Sequence, residues 1–190
     1  MRENKIGIIV GVIVAVFLIV GGAVALRQHA ETSVTSTSEG SDADHDHGDP
    51  LSPEHAQPET VATNAMSMIF SWQPGRDRSG WEALNRAAQT DLLTGVLAKA
   101  AATEPNPLPR PVSDWAAWER SGDTVTAAGA AQGAPVVTGE SATVEVQVRQ
   151  IVIHPDGAST PYKTSRATVT LEQDSSGIWR AANYRIGDTQ

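Results

Sequence analysis

Val144-Glu-Val-Gln-Val148-Arg-Gln-Ile151-Val-Ile153 is the stretch that decides how the rest of the chain is read. Apolar and polar residues alternate, so Val144, Val146 and Val148 share one face of a strand whose other face is wet. Ile151 and Ile153 fall on the opposite parity, which requires a bulge near Arg149-Gln150 or a strongly bent strand. Pro155-Asp156-Gly157 is a turn signal, and Tyr162 to Glu172 alternates again with Ala167, Val169 and Leu171 on one side. Asp174-Ser-Ser-Gly177 turns the chain into a last strand, Ile178 to Ile186, and Thr124 to Ala130 reads as a weaker strand ahead of the set.

Upstream the period changes. Val61 to Phe70 spaces its apolar residues at three and four and is stopped by Pro74-Gly75. Ser79-Gly-Trp-Glu82 has the form of a capping box, and Trp81, Leu84, Ala88, Leu92 and Val96 then make one stripe of a helix ending near Ala102. After Pro-Asn-Pro-Leu-Pro-Arg-Pro111 a short helix follows, with Ser113 or Asp114 as cap, Trp115 and Trp118 on one face and Gly122 as stop. Three helices followed by four antiparallel strands predict an α+β domain over residues 61–190, with the helices on one face of a curved sheet.

The first 60 residues are of another kind. Ile6 to Leu26 is an uninterrupted apolar run of 21 residues, about 32 Å as a helix and matched to a hydrocarbon core of about 30 Å. Residues 1–5 form a short head with Arg2 and Lys5, and after Arg27 the tether contains only acids. The positive-inside bias puts the head in the cytoplasm and the remainder outside the membrane. Ala23-Val24-Ala25 also has the form of a cleavage site, so cleavage after Ala25 is the competing reading. Both readings export the domain. Gly7, Gly11 and Ala15 have the small-xxx-small spacing of a helix-dimer face. Residues 27–60, rich in Ser, Thr, Asp, His and Pro, bury no core and read as a tether of roughly 30–35 Å.

Charge and residue counts exclude several function classes. The net charge of −8 divides into +1 for residues 1–26, −7 for 27–60 and −2 for 61–190. A domain without a cationic face is not expected to bind nucleic acid. The absence of cysteine removes disulfides, thiolate metal sites and thiol nucleophiles. The only metal-binding candidates, His45 and His47 among tether aspartates, have no fixed geometry in their favour. No nucleophile elbow, phosphate loop, zinc-helix or dinucleotide fingerprint is present, and no cofactor is expected. Asp91 and Asp114 adjoin apolar residues and are the carboxylates to consider for isomerase- or dehydratase-like chemistry, an unfavoured reading. His154, before a proline turn, and Asp77, between two arginines, read as solvated. Trp72, Trp81, Trp115 and Trp118 read chiefly as core, with a ligand pocket or a partner contact as alternatives.

The stretch Ser71-Trp-Gln-Pro74, Asp77, Ser79, Asn85-Arg-Ala87, Leu92-Leu-Thr94 and Trp115-Ala-Ala-Trp118, with Gly177-Ile-Trp-Arg180 before Tyr184, resembles bitopic membrane proteins with a nuclear-transport-factor-like cone domain. It is closest to actinobacterial conjugation-associated members. The inner-membrane assembly factors of type IV secretion and the Mce-associated membrane proteins are similar. That resemblance implies a scaffold of an envelope or transfer apparatus, acting through contacts with other envelope proteins and without catalysis. Its Mce-associated side implies instead a tethered module for a small apolar ligand or lipid.

Overall fold

The computed structural model describes residues 56–187. Gly7, Gly11, Ala15, His45 and His47 lie outside the described residues, as does the apolar run 6–26. No helix among the described residues is long and apolar enough to cross a membrane.

Four helices precede five strands: α1 (Pro58–Ile69), α2 (Trp81–Ala88), α3 (Gly95–Ala102), α4 (Trp115–Ser121), β1 (Thr124–Ala131), β2 (Val136–Thr138), β3 (Ser141–Ile153), β4 (Ser159–Gln173) and β5 (Trp179–Gly187). The sheet is antiparallel with the order β1-β3-β4-β5, and β2 continues the β1 edge by pairing with the start of β3. The class is α+β, as the alternating and helical periods predict.

Pro58 stands in the first turn of α1, so the first helix begins three residues before the expected Val61. From α1, Val61, Ala62, Ala65, Met66 and Ile69 pack on Val144, Val146, Val148, Ala167, Val169, Leu171 and Ala181 of the sheet. Met66, Val146, Val169 and Leu171 are fully buried, and these side chains fill the interior between helix and sheet. Burial at roughly 25 cal/mol per Å² of apolar surface makes this contact the main support of the fold.

The parity change in the opening stretch has a different cause from the one the sequence suggests. β3 keeps one register against β1 throughout, so it carries no bulge at Arg149-Gln150. Gln150 simply continues the inward row, 3% exposed, because its amide donates to the Phe70 carbonyl at 2.9 Å. Ile151 and Ile153 sit half-buried on the other face. The bulge is on β4, where Tyr162 falls between the partners of Gln150 and Ile151.

The second expected helix is two. Asp91 takes φ +60°, and Leu93 leaves the helix to bridge Ala181 of β5. The Thr94 N–H donates to the Ala181 carbonyl at 2.9 Å, and the Ala181 N–H to the Leu92 carbonyl at 2.9 Å. The buried row is Ala83, Ala87, Leu93, Leu97 and Ala101, and Val96 of the expected stripe is 61% exposed. An isolated bridge to β5 has overridden helical propensity here.

β1 lies at an edge, yet donors on its outer side are satisfied. The Val125 N–H meets the Trp72 carbonyl at 2.9 Å. The Ala127 N–H donates to Ser71 Oγ at 2.9 Å and the Gly129 N–H to Ser67 Oγ at 2.8 Å. Those hydroxyls in turn donate to the carbonyls of Ser67 and Thr63 at 2.7 Å each, so Ser67 of α1 and Ser71 just past its end close the edge.

Candidate functional site

The loop between α1 and α2 carries the Trp72 segment, and a buried ion pair fixes its shape. Asp77 is 5% exposed, not solvated. Its carboxylate accepts from the Gln73 N–H at 2.8 Å and from both terminal nitrogens of Arg86, one of them at 2.9 Å. Arg86 also donates to the Ser71 carbonyl at 3.3 Å. Much of the quoted Trp72-to-Arg86 pattern is therefore a structural clasp. At the start of α2, Glu82 accepts from the Ser79 N–H at 3.0 Å and from the Ser79 hydroxyl at 2.9 Å. Ser79 Oγ accepts from the Trp81 N–H and not from Glu82, so only the backward half of the box forms.

The clasp holds the loop that carries Trp72, an inner member of an aromatic series. Ring centroids run from Tyr184 to Phe70 at 5.7 Å, to Trp72 at 6.4 Å and to Trp115 at 5.6 Å. These residues line a groove of about 500 Å³, walled by Trp81 and Leu84 on one side and by Pro105, Pro109 and Pro111 of the proline loop on the other. Such a volume and lining are usual for a binding site. Trp72 donates its indole N–H to the Ile69 carbonyl at 3.1 Å and Trp81 to the Ala100 carbonyl at 2.9 Å, so both rings are locked by the domain itself. The indole N–H of Trp115 and the hydroxyl of Tyr184 have no partner among the described residues, and neither is sealed from solvent. Burial pushes the Tyr184 hydroxyl above its ordinary pKa.

Three of the four candidate tryptophans thus meet at one groove. Trp118 does not; it packs with Val125, Val152, Trp72 and Tyr162 in a separate cluster, edge-on to Tyr162 at 4.9 Å. The carboxylates considered for catalysis are elsewhere and exposed. Asp91 pairs with Arg180 at 2.7 Å in its tight turn, and Asp114 precedes α4. No cluster of three metal-ligating side chains occurs among the described residues.

His154 is half-buried and bonded at both ring nitrogens, to Asp123 at 2.9 Å and to Thr160 at 2.9 Å, where the sequence suggests an exposed turn residue. Asp123, itself 8% exposed, also accepts from the Ser121 hydroxyl at 2.7 Å. That hydroxyl first, and His154 second, hold the Asp123 carboxyl below its ordinary range. The chain of bonds ties the end of α4 to the β3–β4 turn. A depressed carboxyl contributes stability above its unfolded pKa and loses it as pH falls through the folded one. Asp123→Asn should therefore be less stable than the parent at pH 6, with the gap closing below about pH 4. Urea midpoints at both pH values check this, and a constant gap would contradict it.

No protein-family model matches the chain, and no curated protein matches it in sequence. Solved structures with a similar outline include CagV, described as a VirB8 homolog of the type IV secretion system of Helicobacter pylori. It is 8% identical, with 70% of this chain and 97% of that one covered and a TM-score of 0.45. The VirB8 protein of Agrobacterium tumefaciens is 13% identical over 72% of this chain and 97% of that one, with a TM-score of 0.41. Aln2 from a Streptomyces species is 16% identical over 66% of this chain and 83% of that one, with a TM-score of 0.36.

Proposed function

We propose that the chain is a membrane-anchored, extracytoplasmic contact subunit of a bacterial envelope or conjugative transfer apparatus, and that the aromatic groove is its contact surface. The observation that supports this best is the groove itself. Three tryptophans converge on it, no carboxylate or imidazole lines it, and two of the indoles are held rigid by internal bonds. Rigid aromatic anchors in a concave patch are the usual energetic centre of a protein contact. The apolar run, the tether and the resemblance quoted above support the anchored, exported part of the reading.

The ligand-module alternative of the Mce-associated kind has less in its favour. It needs space inside the cone, and Met66, Val146, Val169 and Leu171 occupy the helix–sheet interior. The enzyme reading needs an ionisable pair facing a cavity, and Asp91 and Asp114 both face solvent.

The test is photocrosslinking in native membranes from residue 103 at the groove rim, with residue 149 on the outer sheet face as comparison. The groove probe is expected to trap subunits of the apparatus or a second copy at several times the yield of the comparison probe. Recovery of the monomer alone from both probes would overturn the proposal.

A further inference from the structure

The face of the sheet turned away from the helices and the groove holds charges that the contact-subunit reading leaves unused. Register fixes their placement. Arg166 of β4 stands opposite Gln147 of β3, Thr164 opposite Arg149, and Thr168 opposite Arg185 of β5. All of these project outward, because Val148, Ala167 and Val169 between them point into the core. Arg149, Arg166 and Arg185 therefore lie on one diagonal, each one strand over and two residues along from the last, a step of about 7–8 Å. All three are exposed, and none makes an ion pair among the described residues. Glu145, across from Thr168, is occupied by that hydroxyl at 2.6 Å. Three like charges set so close gain from anions laid over them.

A guanidinium fits a phosphate with two parallel N–H donors. An acidic peptide would meet the same charges, and the neighbouring side chains decide between the two. Beyond Arg149 on the same side of β3 come Ile151 and Ile153, half-buried, with Pro161 of β4 opposite Ile151. Neither isoleucine belongs to a core cluster. Cations beside apolar side chains on one open face suit the boundary between lipid headgroups and acyl chains. Position agrees with chemistry. The apolar run 6–26 and the tether read from residues 27–60 keep the domain within roughly 30–35 Å of a bilayer on average. At that range even a weak contact acts at high effective concentration.

We propose that the face bearing Arg149, Arg166 and Arg185 rests on anionic phospholipids of the membrane that anchors the chain, which leaves the aromatic groove for protein partners. This rests on the anchored, exported part of the reading above and concerns a different surface from the groove.

The absence of native cysteine allows one reporter at a time. Full-length chain carrying Thr164→Cys on the arginine face, or Val96→Cys on exposed α3, is labelled with a fluorophore. Each is reconstituted into nanodiscs of phosphatidylcholine, with or without phosphatidylglycerol, that carry a nitroxide on the headgroup. Quenching at residue 164 is expected to rise severalfold with phosphatidylglycerol, and quenching at residue 96 to stay flat. Arg149→Gln, Arg166→Gln and Arg185→Gln should each lower the contact equilibrium about fivefold, the equivalent of about 1 kcal/mol per cation near an anionic surface. Salt raised from about 0.1 to 1 M should release the face, because the screening length falls from about 10 to 3 Å. Unchanged urea midpoints of the three variants separate a lost contact from a lost fold. Quenching that ignores phosphatidylglycerol, is equal at residues 164 and 96, or survives the triple substitution overturns the proposal. So does a photocrosslink from residue 149 to an acidic peptide in place of lipid. A chain released from its membrane by an alkaline wash fails the anchored reading as well. An anchored chain whose quenching ignores anionic lipid fails this inference alone.

Discussion

Arg86→Ala is expected to cost about 3 kcal/mol of folding stability, at the lower end of what breaking a buried pair from one side usually costs. The reason is asymmetric burial. Asp77 is 4% exposed at its side chain and Arg86 38%, so the arginine can be rehydrated and the carboxylate cannot. Without Arg86 the carboxylate keeps only the Gln73 N–H. Asp77→Ala should cost less, about 1–2 kcal/mol, because the guanidinium left behind reaches water. The double substitution should cost less than the sum, since the second removal takes away a charge already unpaired. Urea unfolding of the full chain in detergent, followed by tryptophan fluorescence, measures all three. The Arg86→Ala signal should also show Trp72 more open to acrylamide quenching, because the clasp no longer holds its loop. A loss below about 0.5 kcal/mol, the range of an ordinary surface change, with unchanged quenching would show that the clasp is ornamental.

The architecture was legible where one physical signal dominated. Val144 to Val148 and Ala167 to Leu171 alternate because one face is buried and the other is wet, and both strands lie where that period puts them. Legibility ended where a tertiary hydrogen bond outweighed local preference. The opposite parity of Ile151 and Ile153 suggested a register break near Gln150, but the Phe70 carbonyl just past the end of α1 lets the Gln150 amide occupy a core position. Nothing within β3 announces that acceptor. Likewise Leu92-Leu93-Thr94 continues a helical stripe in sequence, and only the arrival of Ala181 from β5 makes an extended bridge better satisfied. β2, with Val136 and Val137 exposed, shows no inward and outward alternation by which to find it.

The groove was half legible. Trp72, Trp81 and Trp115 stood out as large aromatics, yet three separate elements must fold before they share a wall. Phe70, Tyr184 and the proline loop gave no such signal. Asp77 was misleading for an electrostatic reason: two adjacent arginines suggest a solvated charge run, whereas its actual partner, Arg86, stands on α2. The missed clue was the pairing of a loop carboxylate with a helix arginine nine residues on. The serines at 67 and 71 held a clearer one. Two hydroxyls four residues apart, one in the last turn of α1 and one just past its end, meet backbone groups of β1.

Those serines set up the second large expectation, Gly129→Ala. A Cβ at residue 129 would stand 2.7 Å from the Thr63 carbonyl oxygen and 3.0 Å from the Thr63 Cα. Both atoms are helix backbone and cannot rotate aside, so α1 must retreat from β1. Overpacking of this kind costs about 1–3 kcal/mol. Retreat also stretches the bonds from Gly129 to Ser67 and from Ala127 to Ser71, each worth about 1 kcal/mol. A total of about 3 kcal/mol is expected. Gly75→Ala, where a Cβ meets nothing within 4 Å, should stay within about 0.5 kcal/mol and serves as control. Ser67→Ala alone should cost about 1 kcal/mol by leaving the Gly129 N–H unpaired. Combined with Gly129→Ala it should add almost nothing, because the bond it removes is already broken. Full additivity in that cycle would mean that the helix had not moved, and that the close approach of β1 to α1 is not what glycine permits.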